Sequence, residues 1–396
     1  MPAHPCSVGS WRLRNTLLVA VVFLCMCPTL ARGQQIDIPK WTAERDLVIG
    51  DQRVDYSFTY ILSIAVGGNG DIFVLEWKPP SVLEFSKRGQ FVRRFGGRGE
   101  GPGEFRQVVD MGLRNDTVWV ADPVLRRLTV WGGKGGPPLT FDTRLALPGI
   151  QALYTFPDAL LSDGSIKMSR VGRLDEDPHS ARSIPVIRAD AAGERWDTLA
   201  TDYLPTMLSA RRRTGGPVRM TQPIQDEPHV WFSHDGSWWA VIERPSPVNG
   251  DRAVFRVTKS RVSGGTVFAR ECSFVPEPVE RRTIDSLVND LVATGVLEGD
   301  ARRSLYTPDY WPPILGAVAA RDGRLFLKRS IHANEAIWLV LSPSGEPEAV
   351  LRVPAGLKIR EADAQHLWGV EVGEYDVQHV ARYRIETSTR RTPSGR

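Results

Sequence analysis

Residues Ile61–Phe105 read ILSIAVGGNGDIFVLEWKPPSVLEFSKRGQFVRRFGGRGEGPGEF. This segment contains short apolar runs rich in β-branched and aromatic residues, separated by the turns Gly67–Asp71 and Lys87–Gly89. Runs of this kind between Gly- and Asn-containing turns are typical of antiparallel strands joined as hairpins. The predicted strands are Ile61–Val66, Ile72–Glu76, Ser81–Phe85 and Gln90–Phe95. A single four-stranded sheet cannot bury both of its faces, so it has to stack against similar sheets.

Similar units follow along the rest of the chain. A second unit is predicted over residues 108–142, a third and less regular unit over 152–200, and two further four-stranded units over 229–271 and 315–353. The final unit, Leu357–Ile385, has only three strands, and one apolar strand without a partner, Asp46–Gly50, precedes the first unit. This order predicts an all-β fold, a six-bladed β-propeller closed by its N-terminal strand.

The first 33 residues have the pattern of an export signal. Arg12 and Arg14 precede the apolar run Leu17–Met26, and the small residues around Arg32 fit a cleavage site. The run is too short to span a bilayer. We therefore expect a signal peptide over residues 1–33, a propeller over 34–396, and an exported protein, periplasmic or extracellular, with no membrane span after cleavage.

The net charge bears on the class of partner, and the number of cysteines bears on whether a disulfide can form. Removing the leader takes away three arginines and no acidic residue, which lowers the net charge from +4 to +1. The basic cluster Arg211–Arg213 has no interleaved aromatic residues, so it is interpreted as a solvated loop and no nucleic-acid partner is predicted. Cys272 is the one cysteine left after the leader, which excludes an internal disulfide.

The first two units resemble a known family. The runs Asn69–Val74, Val82–Phe85 and Phe91–Phe95, followed by Gly99-Glu100-Gly101-Pro102-Gly103-Glu104-Phe105, look like an NHL-type repeat. More narrowly, they resemble exported bacterial six-bladed β-propeller proteins that carry a Gly-x-Gly-Pro-Gly-Glu-Phe segment after the first blade. The strong likeness covers residues 46–131, and Trp231–Trp238 resembles a TolB-like propeller hairpin. The resemblance implies a fold more firmly than an activity.

Two motifs that could indicate a bound group are better explained as structure. The segment Gly96–Gly103 lacks the Gly-Lys-Ser/Thr ending of a phosphate-binding loop, so it is interpreted as a turn that leaves Phe105 wedged between blades. The histidines after residue 33 show no metal-binding spacing, and His234 and His366 are interpreted as ordinary surface or edge residues. No cofactor is predicted, although calcium is possible.

One helical insertion interrupts the β pattern. Within residues 278–295, apolar residues recur at helical spacing, and Gly295 provides the stop. The repeating apolar positions are Ile284, Leu287, Val288, Leu291 and Val292. This stripe is expected to pack the insertion onto the propeller.

Loop lengths point to one face of the ring. In a four-stranded blade, the first and third turns share one face, and the other connections share the opposite face. The first set is short, and we call its side the short-turn face. The second set contains nearly every insertion and defines the long-loop face, formed by residues 96–107, 171–180, 201–228, 244–251 and 274–313. Long loops on a rigid scaffold are where binding usually occurs.

Two functions are therefore open. The first is a binding module for a protein, peptide or glycan, with candidate contacts on or beside the long loops at Arg106, Arg212, Tyr310, Trp311 and His332. The alternative is a metal-dependent enzyme, because propellers of this size include calcium-dependent lactonases and a zinc-dependent lyase. No catalytic constellation is visible in the sequence, which favours binding over catalysis.

Overall fold

The computed structural model describes residues 38–50, 56–115, 117–132, 138–142, 154–171, 182–192, 194–243, 252–332 and 334–387. The signal-peptide prediction for residues 1–33 lies outside these ranges. Strand β1 (Lys40–Ile49) comes first. Blade 1 contains β2 (Ile61–Val66), β3 (Ile72–Trp77), β4 (Pro80–Phe85) and β5 (Phe91–Phe95). Blade 2 contains β6 (Asp110–Arg114), β7 (Thr117–Asp122), β8 (Arg127–Trp131) and β9 (Leu139–Asp142).

The chain then continues through two more blades and a hairpin. Blade 3 contains β10 (Tyr154–Leu160), β11 (Ile166–Val171), β12 (Arg182–Ala189) and β13 (Trp196–Leu204). The hairpin consists of β14 (Met207–Arg211) and β15 (Pro217–Thr221). Blade 4 contains β16 (His229–Phe232), β17 (Trp238–Glu243), β18 (Ala253–Arg261) and β19 (Thr266–Phe274).

Two helices precede the last two blades. They are α1 (Arg281–Ala293) and α2 (Glu298–Ser304). Blade 5 contains β20 (Gly316–Ala319), β21 (Leu325–His332), β22 (Glu335–Leu341) and β23 (Pro347–Pro354). Blade 6 contains β24 (Lys358–Ala362), β25 (His366–Val372) and β26 (Gln378–Thr387), with β1 as its fourth strand. Neither described helix combines the length and apolar character needed to cross a membrane.

The first strand of each blade lies at the centre of the ring. Strand β24 contacts β2, β2 contacts β6, β6 contacts β10, β16 contacts β20, and β20 contacts β24. The faces between neighbouring blades are filled by apolar side chains, as shown by the cluster that joins blades 1 and 2 around Leu75, Phe105 and Met111. The predicted all-β six-bladed propeller is confirmed.

Strand β1 closes the ring, and it does so over a longer segment than the sequence predicted. It pairs antiparallel with β26 from Trp41 opposite Thr387 to Ile49 opposite Val380. Its first three residues also pair in parallel with β23 of blade 5, which joins blades 5 and 6 into one eight-stranded sheet. The predicted strand Asp46–Gly50 is thus only the second half of β1. The residues that β1 buries are Trp41 and Ile49.

The glycine-rich segment after blade 1 acts as predicted. Phe105 is fully buried, and its ring lies 5.5 Å from that of Trp131, centroid to centroid. Gly96 adopts a left-handed φ of +84°, and a Cβ there would lie 2.5 Å from the Phe105 ring. Only glycine, which has no Cβ, fits where the backbone comes this close to the Phe105 ring.

The insertion is more elaborate than one helix. The helix predicted over residues 278–295 is α1, and a second helix, α2, follows it after Gly295, whose φ is +92°. The apolar stripe of α1 packs with hairpin β14–β15, for example against Leu208 and Ala210. The insertion thus packs onto the rest of the chain through a β-hairpin within residues 201–228, a segment that the sequence predicts as a loop.

A turn of blade 4 crosses the axis of the ring, near its short-turn face. In the β16–β17 turn, the carbonyl oxygen of His234 accepts a hydrogen bond of 3.3 Å from Leu113 N of blade 2. Nδ1 of His234 lies 2.8 Å from Oε2 of Glu361 in blade 6, and Glu361 is buried. His234 is therefore not the ordinary surface or edge residue that the sequence suggests, because the closed ring places its turn against blades 2 and 6. One histidine ties together three non-adjacent blades.

We expect the closing strand to be essential for stability. Deleting residues 34–52 should yield an aggregating or protease-sensitive protein, because β26 loses its ladder partner and Trp41 and Ile49 leave the core. Burial of two such side chains contributes about 1.5–3 kcal/mol each. Deleting residues 388–396 is the control and should change the melting temperature little. Equal melting temperatures for both deletions and the full chain would disprove closure by β1.

We expect the contribution of His234 to depend on pH. Burial lowers the pKa of His234, but the charge and hydrogen bond of Glu361 and the charge of Asp110 outweigh it and raise the pKa to about 9. Because the folded-state pKa exceeds the ordinary 6.5, the stabilisation is complete below pH 6.5 and is lost as the pH rises through about 9. The gap in melting temperature between the wild type and His234→Gln should therefore shrink from pH 6 to pH 10. A gap that does not change with pH would contradict this ion pair.

Candidate functional site

Exposed apolar side chains gather on the long-loop face. Eleven large ones among the described residues lie in its connections or at the strand ends that adjoin them: Tyr60, Trp77, Val124, Val275, Leu297, Tyr306, Tyr310, Leu315, Ile331, Val372 and Tyr375. Four lie elsewhere: Phe91, Val92, Leu139 and Trp196. Exposed apolar surface concentrated in one region indicates an interaction site. The axial turn of blade 4 lies near the opposite, short-turn face.

A cavity of about 1090 Å³ opens on this face between blades 3, 4 and 5. One wall is formed by the ends of β13 and β15 and by the segment 223–228 that leads into β16. A second wall comes from the insertion, at residues 277–283 and 311–316, and the third from residues 328–331 of β21. The volume is slightly above the range of about 300–1,000 Å³ that is typical for ligand pockets.

Aromatic rings form part of the cavity lining. Trp311 lies in the wall formed by the insertion, where its backbone N–H donates a 2.8 Å hydrogen bond to the carbonyl oxygen of Glu277. On the blade 4 side, the rings of Trp231 and His229 meet edge to face with centroids 4.6 Å apart. His229 in turn lies 3.1 Å from a carboxylate oxygen of Asp202. The contacts of His229 and Trp231 hold these two rings in place, as a preformed binding surface requires.

Blade 5 presents four consecutive residues to the cavity, Lys328, Arg329, Ser330 and Ile331. In a regular strand, neighbouring side chains would point to opposite faces. Here the pairing of β21 with β22 shifts between Lys328 and Ser330, which leaves Arg329 as the extra residue of a β-bulge. Bulges re-aim side chains and are frequent beside functional sites. The ring contacts show where the two cations lie: the ammonium of Lys328 lies beside Trp338 of blade 5, and the guanidinium of Arg329 lies beside Phe274 of blade 4.

The two cations are poorly compensated in the free protein. Burial lowers the pKa of Lys328, and no charged neighbour offsets this effect. Burial also lowers the pKa of Arg329, opposed in part by the charge of Glu277. Its guanidinium lies 5.3 Å from the ring centroid of Phe274, and its Nε, enclosed by protein, has no hydrogen-bond partner among the described residues. Desolvated cations without full compensation cost stability.

The five residues predicted to bind a ligand do not form one site. Trp311 lines the cavity, and Tyr310 is bridged to Pro278 at its edge. Arg106 lines a separate cleft of about 440 Å³, where it pairs with Glu100. Arg212 lies at the tip of hairpin β14–β15, bridged to Val296 of the insertion. His332 ends β21, but its side chain is outside the description.

The sequence did not identify the cavity residues of blade 5 or those at the start of blade 4. Lys328 and Arg329 follow an ordinary apolar strand pattern, and nothing in that pattern marks a bulge. His229 and Trp231 sit within a predicted strand and gave no sign that they face a cavity. The available signal was the length of the loops at residues 201–228 and 274–313, which indicated the right face but not the right side chains.

No metal-binding group emerges from the described residues. Within them, no three His, Cys, Asp or Glu side chains converge closely enough to hold a metal ion. No residues are therefore assigned to calcium, and calcium binding stays a possibility raised by the sequence alone.

A match to a protein-family model supports the fold. A family model described as a 6-bladed β-propeller matches residues 55–135. No curated protein matches the sequence. Virginiamycin B lyase from Staphylococcus aureus shares 12% identity over 87% of this chain and 99% of its own, with a TM-score of 0.40. The PQQ-bound aldose sugar dehydrogenase of Streptomyces coelicolor shares 11% identity over 88% and 99%, with a TM-score of 0.42. These likenesses carry no argument about activity.

We expect removal of an uncompensated cation to stabilise the free protein. Because its folded-state pKa lies below 10.5, protonated Lys328 costs stability at neutral pH, and the cost disappears as the pH rises towards 10.5. Lys328→Met keeps the stem and should raise the melting temperature at pH 7 by about 1–3 °C. The exposed Lys358→Met is the control and should have little effect. A lower melting temperature for Lys328→Met would mean that its charge stabilises the fold.

Proposed function

We propose that this chain is a ligand-binding propeller that takes a segment of a protein, peptide or glycan into the cavity between blades 3, 4 and 5. The observation that carries the proposal is the composition of this cavity. Its lining combines Trp231 and Trp311 with Lys328 and Arg329 of one bulged strand, and burial lowers the pKa of both cations. A combination of rigid aromatic surface and strong hydrogen-bond donors is typical of sites that recognise a ligand.

The position of the cavity supports the same function. It lies on the face where most exposed apolar side chains are found, and it is bounded by the two largest insertions between blades. The insertion has its own apolar cluster with hairpin β14–β15, so the wall it provides is a packed structure and not a loose loop. Rigid walls reduce the entropy lost when a ligand binds.

Export is part of this proposal. It rests on the basic residues, apolar run and small residues of the segment 12–33. The enzyme of lactonase or lyase type stays an alternative from the sequence, and no arrangement among the described side chains favours it.

Binding arrays can test the proposal with a matched pair of variants. The full chain after residue 33 would be applied to peptide and glycan arrays alongside Trp311→Ala, which removes a ring from the cavity, and Trp196→Ala. Trp196 is also a partly exposed tryptophan, but it begins β13 on the short-turn face. We expect ligands of the wild type to bind Trp311→Ala at least about tenfold more weakly and Trp196→Ala equally well. Melting temperatures of both variants would establish that they fold.

Two results would contradict the proposal. One is a set of ligands that Trp311→Ala binds as tightly as the wild type. The other is a complete absence of ligands on both arrays.

A further inference from the structure

One side of the cavity carries acids without lysine or arginine. It is formed by the lining residues between positions 203 and 231, where blade 3 leads into blade 4, and we call it the acidic side. Of the described residues that line it, none is a lysine or an arginine. Glu227 lines it directly, and Asp202 lies behind the lining residue His229. The two carboxylates therefore have one histidine and no permanent cation beside them in this wall.

His229 presents a hydrogen-bond acceptor on the acidic side. Its Nδ1 lies 3.1 Å from Oδ1 of Asp202, and the same oxygen accepts hydrogen bonds from the backbone N–H groups of Tyr203 and Val230. Because a carboxylate can only accept, the neutral ring carries its proton on Nδ1, and Nε2 is left as an acceptor. The side chain is 51% exposed and lines the cavity. No described residue forms a hydrogen bond with Nε2, so this acceptor is available to a ligand.

Glu227 contributes a carboxylate with an unused oxygen. Its Oε1 accepts a 3.0 Å hydrogen bond from the backbone N–H of Thr206. Its Oε2 is enclosed by protein and has no hydrogen-bond partner among the described residues. An enclosed acceptor that lacks a donor costs stability. Rotation about the last side-chain bond of a glutamate is soft, so the carboxylate can turn towards a donor that enters the cavity.

The basic residues of the cavity lie on its other walls and are engaged there. Arg282 of the insertion forms an ion pair with Glu280, and the charge of Glu277 acts on Arg329. The ammonium of Lys328 lies beside a tryptophan ring of β22, on the side of β21 that faces blade 6. The acidic side is therefore the part of the lining where a positive charge is missing.

Aromatic rings on the acidic side also suit a cation. Tyr203 and Trp231 line it, and Trp231 meets His229 edge to face. The face of a tryptophan or tyrosine ring attracts an ammonium or guanidinium group. A neutral hydroxyl group would also donate to Nε2 of His229. Hydrogen bonds that involve a charged partner are about twice as strong, however, and only a cation gains from the two carboxylates.

We propose that the acidic side binds the lysine or arginine side chain of a peptide, which donates to Nε2 of His229 and is attracted by the carboxylates of Glu227 and Asp202. This inference rests on the proposed function and makes its ligand specific. A peptide also has apolar side chains to cover Leu315 and Ile331, which line the cavity and are 39% and 50% exposed. A cationic glycan would supply the charge without these apolar contacts. The amino terminus of a peptide offers the same chemistry as lysine.

Isothermal titration calorimetry on the full chain after residue 33 would compare peptides that differ in charge alone. The probes are pools of acetylated, amidated pentapeptides with Gly, Leu, Phe or Thr around a central residue. This residue is lysine or the neutral acetyl-lysine in one pair of pools, and arginine or the neutral citrulline in the other. A pool with central acetyl-lysine and a free amino terminus tests the terminal amine. Tetraglucosamine is the cationic glycan probe.

Three variants separate the charge from the structural contacts. Glu227→Gln removes the charge but keeps an oxygen that can accept from the N–H of Thr206. His229→Phe keeps a ring and removes the acceptor Nε2. Glu194→Gln is the control, because it removes an exposed acid on the turn between β12 and β13, on the short-turn face. Melting temperatures of all three would establish that they fold.

We expect the lysine or the arginine pool to bind at least about tenfold more tightly than its neutral counterpart. Glu227→Gln and His229→Phe should each reduce this ratio towards one, whereas Glu194→Gln should preserve it. The pool with the free amino terminus shows whether a terminal amine binds in the same way.

Other results would overturn the inference. They are equal binding of cationic and neutral peptides, a preference that survives in both Glu227→Gln and His229→Phe, no peptide binding at millimolar concentration, or tighter binding of tetraglucosamine than of any peptide. If cationic and neutral peptides bind equally but Trp311→Ala weakens both, only the assignment of the cation fails. If Trp311→Ala weakens neither, the cavity itself is not the binding site.

Discussion

The pairing of β1 with β26 is the constraint on which the rest of the structure depends. A ring of sheets has no end, so the last blade needs a partner strand from the other terminus. Strand β1 supplies it over Trp41–Ile49, and its first residues also extend along β23 of blade 5. Two blades are thereby joined by one strand. This closure fixes how far each inner strand stands from those across the axis.

Those distances make the axial contacts possible. The turn containing His234 meets backbone groups of blade 2 and a carboxylate of blade 6 because the closed ring brings them within hydrogen-bond range. The turn contributes polar contacts near the short-turn face. The insertions lie on the long-loop face. There the helices and the hairpin form a cavity with blades 4 and 5. The cations at its edge cost stability in the free protein, as binding groups often do.

The sequence predicted the strands and their order well, because hairpin turns rich in Gly, Asn and Asp are strong local signals. It predicted the closing strand but not its full length. The first half of β1, Lys40–Arg45, consists largely of exposed polar residues and contains no apolar run. It also missed hairpin β14–β15, whose strands become recognisable only once α1 covers Leu208 and Ala210. Local signals do not report a surface that a distant helix completes.

The candidate site was predicted only in outline. Loop lengths identified the correct face, and Trp311 was among the residues selected. Arg106 and Arg212 were selected by residue type on long loops, and both lie away from the cavity, in contacts of their own. Lys328 and Arg329 lie in its wall at a bulge, which is a property of the pairing between two strands. The position of His234 was likewise not predictable from the sequence, because its contacts come from blades that are far away along the chain.

The central claim is that ligand binds in the cavity between blades 3, 4 and 5. Hydroxyl-radical footprinting of the protein, with and without a saturating ligand, reports this directly for each exposed aromatic side chain. Protection of Trp311 and Trp231, with unchanged reactivity of Trp196 and Phe91, is the expected result. Protection of Trp196 or Phe91, with Trp311 as reactive as in the free protein, would contradict it.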